Sequence, residues 1–151
     1  MLARSPFWVE AILAWRGTAL LARIALTSAY LLGGLVKLAD FPAAVAEQEH
    51  FGLYPGAVWA VLAIIIELGG SVLVISGRLV WLGAGALGVL TAIACLVADH
   101  FWTLEGQARV MALNGFLEHV GLVAGFVLVA LTAAPAPRSD IPNTHLNTEP
   151  A

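Results

Sequence analysis

Four runs of about twenty apolar residues decide what this chain can become. They cover 18–36, 57–76, 79–98 and 114–133, and a helix needs roughly 20 such residues to cross the hydrocarbon core of a bilayer. Hydrocarbon offers the backbone no hydrogen-bond partners, so each run must satisfy its own as a helix. Composition agrees: 60% of the chain is hydrophobic and 11% charged, at mean hydropathy +0.90. A soluble domain carries about 25% charge. The expected fold is all-α, an integral membrane four-helix bundle. Residues 1–17 are expected to form an N-terminal interfacial helix, 18–134 the four-span domain and 135–151 a disordered tail rich in proline and polar residues.

The charges between the runs bear on topology. Only Gly77 and Arg78 separate the second and third runs, which predicts a tight antiparallel hairpin. With both termini in the cytoplasm, Arg4, Arg16, Arg78 and Arg138 lie inside and only Lys37 and Arg109 outside. The positive-inside rule favours that orientation. Glu10 and Arg16 interrupt any short signal-peptide core, so the first run reads as an uncleaved anchor. In PFWVEAILAWRG, Trp8, Ile12 and Trp15 recur at helical spacing, as suits a helix at the headgroup layer.

Several function classes drop out. The net charge is −3 and the seven Lys and Arg residues are scattered, which excludes a nucleic-acid surface. One cysteine, Cys95, allows neither an internal disulfide nor a CxxC pair, and a Cys-based zinc site is likewise not expected. No P-loop, nucleophile elbow or dinucleotide fingerprint occurs. His100 and His119 fall at similar depth on different helices, but no CxxCH or HExxH accompanies them. Haem is disfavoured and no metal is expected.

Glu67 interrupts the second run. A charge at mid-span costs about 2.5–3.5 kcal/mol, and each Leu, Ile, Val or Phe returns about 0.3–0.6. Eleven such residues carry the run into the membrane, but the carboxylate still needs a partner. Counted from the Arg78 side, Glu67 lies ~14 Å deep and Arg23 ~9 Å. One turn separates them, so a buried Arg23–Glu67 pair is expected, foremost as a tie between helices. A second group gathers at the opposite end: Lys37, His50, Asp99, His100, Glu118 and His119. His100, Glu118 and His119 have the chemistry of a proton relay. His50 and Asp99 read singly as wetted interfacial residues. Gly121–Gly125 and Ala84–Gly88 are small-xxx-small pairs, and Gly33–Gly34 and Gly69–Gly70 thin the first two helices for packing.

In order, the chain reads YLLGGLVKL, HFGL, IELGGSVLVISGR, DHFW and FLEHVGLVAGF. Across residues 18–132 this resembles the DoxX family of small four-helix bacterial membrane proteins. The resemblance implies a bundle in the bacterial inner membrane. It also implies links to thiosulfate:quinone oxidoreductase, to other membrane redox complexes or to oxidative-stress defence. Lys37, Glu67, His100 and Trp102 match family positions. Where many members read FLKN, this chain has Phe116, Leu117, Glu118 and His119, which reverses the charge there. From this follows an expected quinone pocket, with His100, Glu118 and His119 exchanging protons, Lys37 steadying an anion and Trp102 beside the headgroup. A redox partner protein, membrane-bound or soluble, would supply electrons. The alternative is a non-enzymatic assembly or scaffold protein, a role that eukaryotic DoxX-like relatives also have.

Overall fold

The structure is a computed structural model, described over residues 5–133. The tail beyond that, and with it the expectation for 135–151, lies outside the described residues. Among the described residues every regular element is helical: α1 (Phe7–Ala14), α2 (Arg16–Ala39), α3 (Phe41–His50), α4 (Gly56–Ile64), α5 (Gly70–Ser76), α6 (Val80–Ala98) and α7 (Gly106–Ala133). A π-helical turn at Ile65–Gly69 joins α4 to α5, making one continuous span over Gly56–Ser76. With α2, α6 and α7 it completes four helices long and apolar enough to cross a membrane.

The helix ends follow local chemistry. Asp40 closes α2 and caps α3, its side chain accepting a hydrogen bond from the Ala43 N–H at 3.1 Å. Pro42 falls in the first turn of α3, where its missing N–H costs nothing. Gly77 ends α5 in the left-handed region at φ 74°, the usual glycine C-terminal geometry. The expected hairpin between the second and third spans is therefore present. α7 starts eight residues before the expected 114. Gly106 turns the chain at φ 58° and no breaker follows in QARVMALN, so residues ahead of the apolar run are helical too. At ~1.5 Å per residue, 28 residues make roughly 42 Å, longer than a bilayer core.

The core is small. Val74, Ala84, Leu87 and Phe126 are buried together, with Leu26, Tyr30 and Ile66 packed on them. Tyr30 and Phe126 meet edge to face at 5.4 Å between ring centres. Thr27, Ser71 and Thr91 are also buried, and each hydroxyl donates to a carbonyl one turn back in its own helix. These bonds let a polar residue sit in apolar surroundings without an orphaned group.

Two close approaches set the helix register. A Cβ on Gly83 would lie 2.6 Å from the Gly70 carbonyl oxygen, so α5 and α6 touch backbone to backbone. A Cβ on Gly34 would lie 2.8 Å from the Leu68 side chain, and one on Gly33 would lie 3.4 Å from Glu67 Oε2. The Gly33–Gly34 pair thus seats α2 against the π turn. Of the predicted packing glycines in α7, Gly125 receives Leu26, whereas Gly121 meets nothing within 4 Å.

Candidate functional site

Glu67 is buried, and its partner is Lys37. Lys37 Nζ donates to Glu67 Oε1 at 3.1 Å and lies 3.8 Å from Glu47 Oε2. The expected Arg23–Glu67 pair does not form. Gly33 faces Glu67, and Lys37 is one turn further along the same face of α2. Side chains of a helix lean toward its N-terminus, so Lys37 leans back onto Glu67 while Arg23 leans away from it. Arg23 instead reaches the hairpin, where its Nη1 lies 2.9 Å from the place a Gly77 Cβ would occupy. The depth count had set residue 17 level with residue 77. The observed register sets residue 23 there, a slip of about six residues or ~9 Å.

The π turn contributes to the same arrangement. Wider turns of this kind occur mostly as single interruptions of α-helices, often at functional sites. Here the turn is centred on Glu67, whose backbone carbonyl accepts the buried Ser71 hydroxyl at 2.5 Å. Its second carboxylate oxygen, Oε2, is buried without a hydrogen-bond partner among the described residues. A buried charged oxygen with spare acceptor capacity is expensive unless something approaches it.

Glu67 also lines a chamber of about 360 Å³, within the range of ligand pockets. α3 covers it with Glu47, and its walls carry Tyr30, Lys37, Glu67, Thr91 and His119. Tyr30 and Thr91 share a 2.6 Å hydrogen bond between hydroxyls, joining α2 to α6 across it. An apolar groove of about 430 Å³ shares Gln48, Leu53, Ala63, Leu90 and Ile93 with the chamber and continues past Trp59 and Trp81. The combination is a largely apolar pocket carrying a few charged and polar groups at one wall, with an apolar extension.

The expected relay residues separate. His119 lines the chamber, with Nδ1 2.7 Å from Asp99 Oδ2 and 2.8 Å from the Gly115 carbonyl. His100 and Glu118 are exposed, and neither lines the chamber. Trp102 is also exposed, packed edge to face on Phe101 rather than on the pocket. His50 is exposed against Phe51. Asp99, read from the sequence as a wetted interfacial residue, is instead half-buried against His119. Sequence reasoning also missed Tyr30, Thr91 and Glu47. Tyr30 and Thr91 carried a signal, as polar groups inside otherwise apolar runs. Glu47 carried none beyond its charge.

Comparison with known proteins places this architecture. The DoxX family model matches residues 18–100, which include nearly all of α2, the π turn and α6. The inner membrane protein YphA of Escherichia coli (strain K12) is 24% identical over 117 residues, covering 78% of this chain and 84% of that protein. No solved structure matches. The matched residues hold the Lys37–Glu67 pair and most of the chamber wall, and this chain belongs to the DoxX family of membrane proteins.

Proposed function

We propose that this protein is an inner-membrane subunit that receives a quinone headgroup in the chamber and serves a quinone-linked redox process. The observation that carries the reading is the joining of one chamber, where Lys37, Glu67 and His119 converge among apolar side chains, to an apolar groove walled by Trp59 and Trp81. That division suits a ligand with a compact polar head and a hydrocarbon tail. The inner-membrane location rests on the likeness to YphA, and both termini are assigned to the cytoplasm by the positive-inside count.

Quinone would supply a couple that takes up two electrons and two protons to become quinol. None of the chamber's side chains carries electrons, so a redox partner protein supplies both. The chain's own groups bind and exchange protons. Lys37 donates from its ammonium to a headgroup oxygen and steadies negative charge as it develops there. Nδ1 of His119 is held toward Asp99 and the Gly115 carbonyl, and the ring's Nε2 is its free nitrogen for hydrogen bonding or proton transfer. The Tyr30–Thr91 pair offers a further hydroxyl within the span.

Quinone content decides the matter. Protein purified gently from its native membrane should retain about one quinone per chain by mass spectrometry. Lys37→Met and His119→Asn variants of normal elution profile should lose it. Wild-type protein free of quinone, and taking up none from quinone-loaded vesicles, would overturn the reading.

One observation favours the scaffold alternative: α7 runs for 28 residues with only Phe126 buried. A span so little covered by its own chain can pack against a partner's helices. A stoichiometric partner co-purifying with quinone-free protein, and released by bulky substitutions on α7 but not by Lys37→Met, would favour it.

A further inference from the structure

We propose that Cys95, Asp99 and His119 form a binding site for a divalent transition metal, zinc being the ion their donors suit best. Cys95 and Asp99 are four residues apart at the end of α6, on one face, and His119 comes from the facing α7. The thiol sulfur, a carboxylate oxygen and a ring nitrogen all lie within 4.8 Å of one another. Thiolate, imidazole and carboxylate are the zinc ligands, and three protein ligands with a fourth position open is the pattern of reactive rather than purely structural zinc sites.

The plainer account is a buried cysteine beside an Asp–His pair, and it leaves one atom unexplained. Asp99 Oδ2 is buried and, among the described residues, makes no hydrogen bond, although His119 Nδ1 is only 2.7 Å away. The ring nitrogen is aligned on the Gly115 carbonyl at 2.8 Å instead. A buried carboxylate oxygen close to a nitrogen to which it is not bonded has acceptor capacity that a cation would fill. The backbone also makes room for it. A Cβ on Gly115 would stand 2.8 Å from Asp99 Oδ1 and displace the carboxylate. Cys95 is held nearby by a weak bond from Sγ to the Phe116 carbonyl at 3.7 Å.

Binding requires small adjustments. Nitrogen and oxygen ligands on tetrahedral zinc stand roughly 3.3 Å apart, given metal–ligand distances of about 2.0–2.1 Å. The Asp99–His119 contact must therefore open by about half an ångström. The Cys95 thiol gives up its proton, one released per ion bound, and His119 coordinates through neutral Nδ1. Nε2 then keeps the ring's proton. The site was hidden from sequence because a count of thiols considers one element at a time, whereas this set joins two helices. It shares His119 with the chamber, but its ligand atom there is Nδ1 and its other two ligands do not line the chamber.

The test uses full-length protein in lipid nanodiscs, stripped with a chelator and titrated with Co²⁺ and, separately, Zn²⁺. Wild-type protein should develop a thiolate-to-cobalt charge-transfer band that saturates at one ion per chain and disappears when zinc is added. Cys95→Ser should lose that band. Asp99→Asn and His119→Gln should each weaken zinc binding by more than the roughly 10–100-fold that loss of an outer-shell partner costs. Wild-type protein without the band overturns the proposal, whatever the variants do. So does zinc retention by folded Cys95→Ser equal to that of wild type, which would place the ion elsewhere.

Discussion

Lys37 Nζ lies 3.1 Å from Glu67 Oε1, one helical turn beyond the glycine that lets α2 rest against the π turn. This contact joins the first span to the second at the wall of the chamber. It also explains how a carboxylate persists within an apolar run: it is half of an ion pair, with its other oxygen buried against Gly33 of α2.

Breaking the pair from either side should be costly, because the remaining charge stays buried. Glu67→Ala and Lys37→Met should each destabilise the bundle by about 3–5 kcal/mol. The Lys37→Met, Glu67→Met double variant should recover much of that loss. Arg23→Met, at the hairpin, should cost far less than either single variant. Reversible unfolding in detergent or lipid checks all four. Equal loss in Arg23→Met and Lys37→Met would contradict the observed pairing.

Glu47 contributes differently. It is 3.8 Å from Lys37 and its side chain is 48% exposed, so Glu47→Gln should change stability by less than about 1 kcal/mol. That small effect should shrink further in high salt. Unfolding at two ionic strengths separates it from the buried Glu67 contact.

Crowding at Gly34 should unseat α2. Gly34→Ala places a methyl 2.8 Å from the half-buried Leu68 side chain and 3.2 Å from the Glu67 Cβ, and should cost about 1–3 kcal/mol. Gly85→Ala meets nothing within 4 Å and should stay within about 0.5 kcal/mol of wild type. Thermal stability measured side by side tests the contrast. If both behave alike, the close approach is not what sets the register.

The hydroxyl pair should respond unequally. Tyr30→Phe leaves Thr91 bonded to the Leu87 carbonyl, so it should cost about 1 kcal/mol or less. Thr91→Val leaves the Tyr30 hydroxyl without that partner and should cost about 1–3 kcal/mol. The double variant should be less destabilised than the sum of the two singles. A double-mutant cycle reads the coupling directly.

Much of the architecture was legible before any coordinates. The hairpin at Gly77–Arg78 and the importance of Glu67 and Lys37 each follow from a few adjacent residues. The candidate site was legible only in part. His119 and Lys37 do line the chamber, whereas His100, Glu118 and Trp102 point elsewhere. His100 and Trp102 lie in the connection beyond α6 and Glu118 on an exposed face of α7, and depth is all that a span count supplies.

Apolar run length is a property of contiguous residues, and hydrocarbon leaves a backbone no structure but the helix. Sequence by itself therefore determined four spans, their antiparallel order and an unusual buried carboxylate. Which charges meet was decided only by tertiary structure. Gly33 and Gly34 set the register of α2 on the π turn, and the N-terminal lean of helical side chains then sent Lys37 to Glu67 and Arg23 to the hairpin. A slip of about six residues (~9 Å) changes every partner without altering a single span, so only packing across helices could select among them.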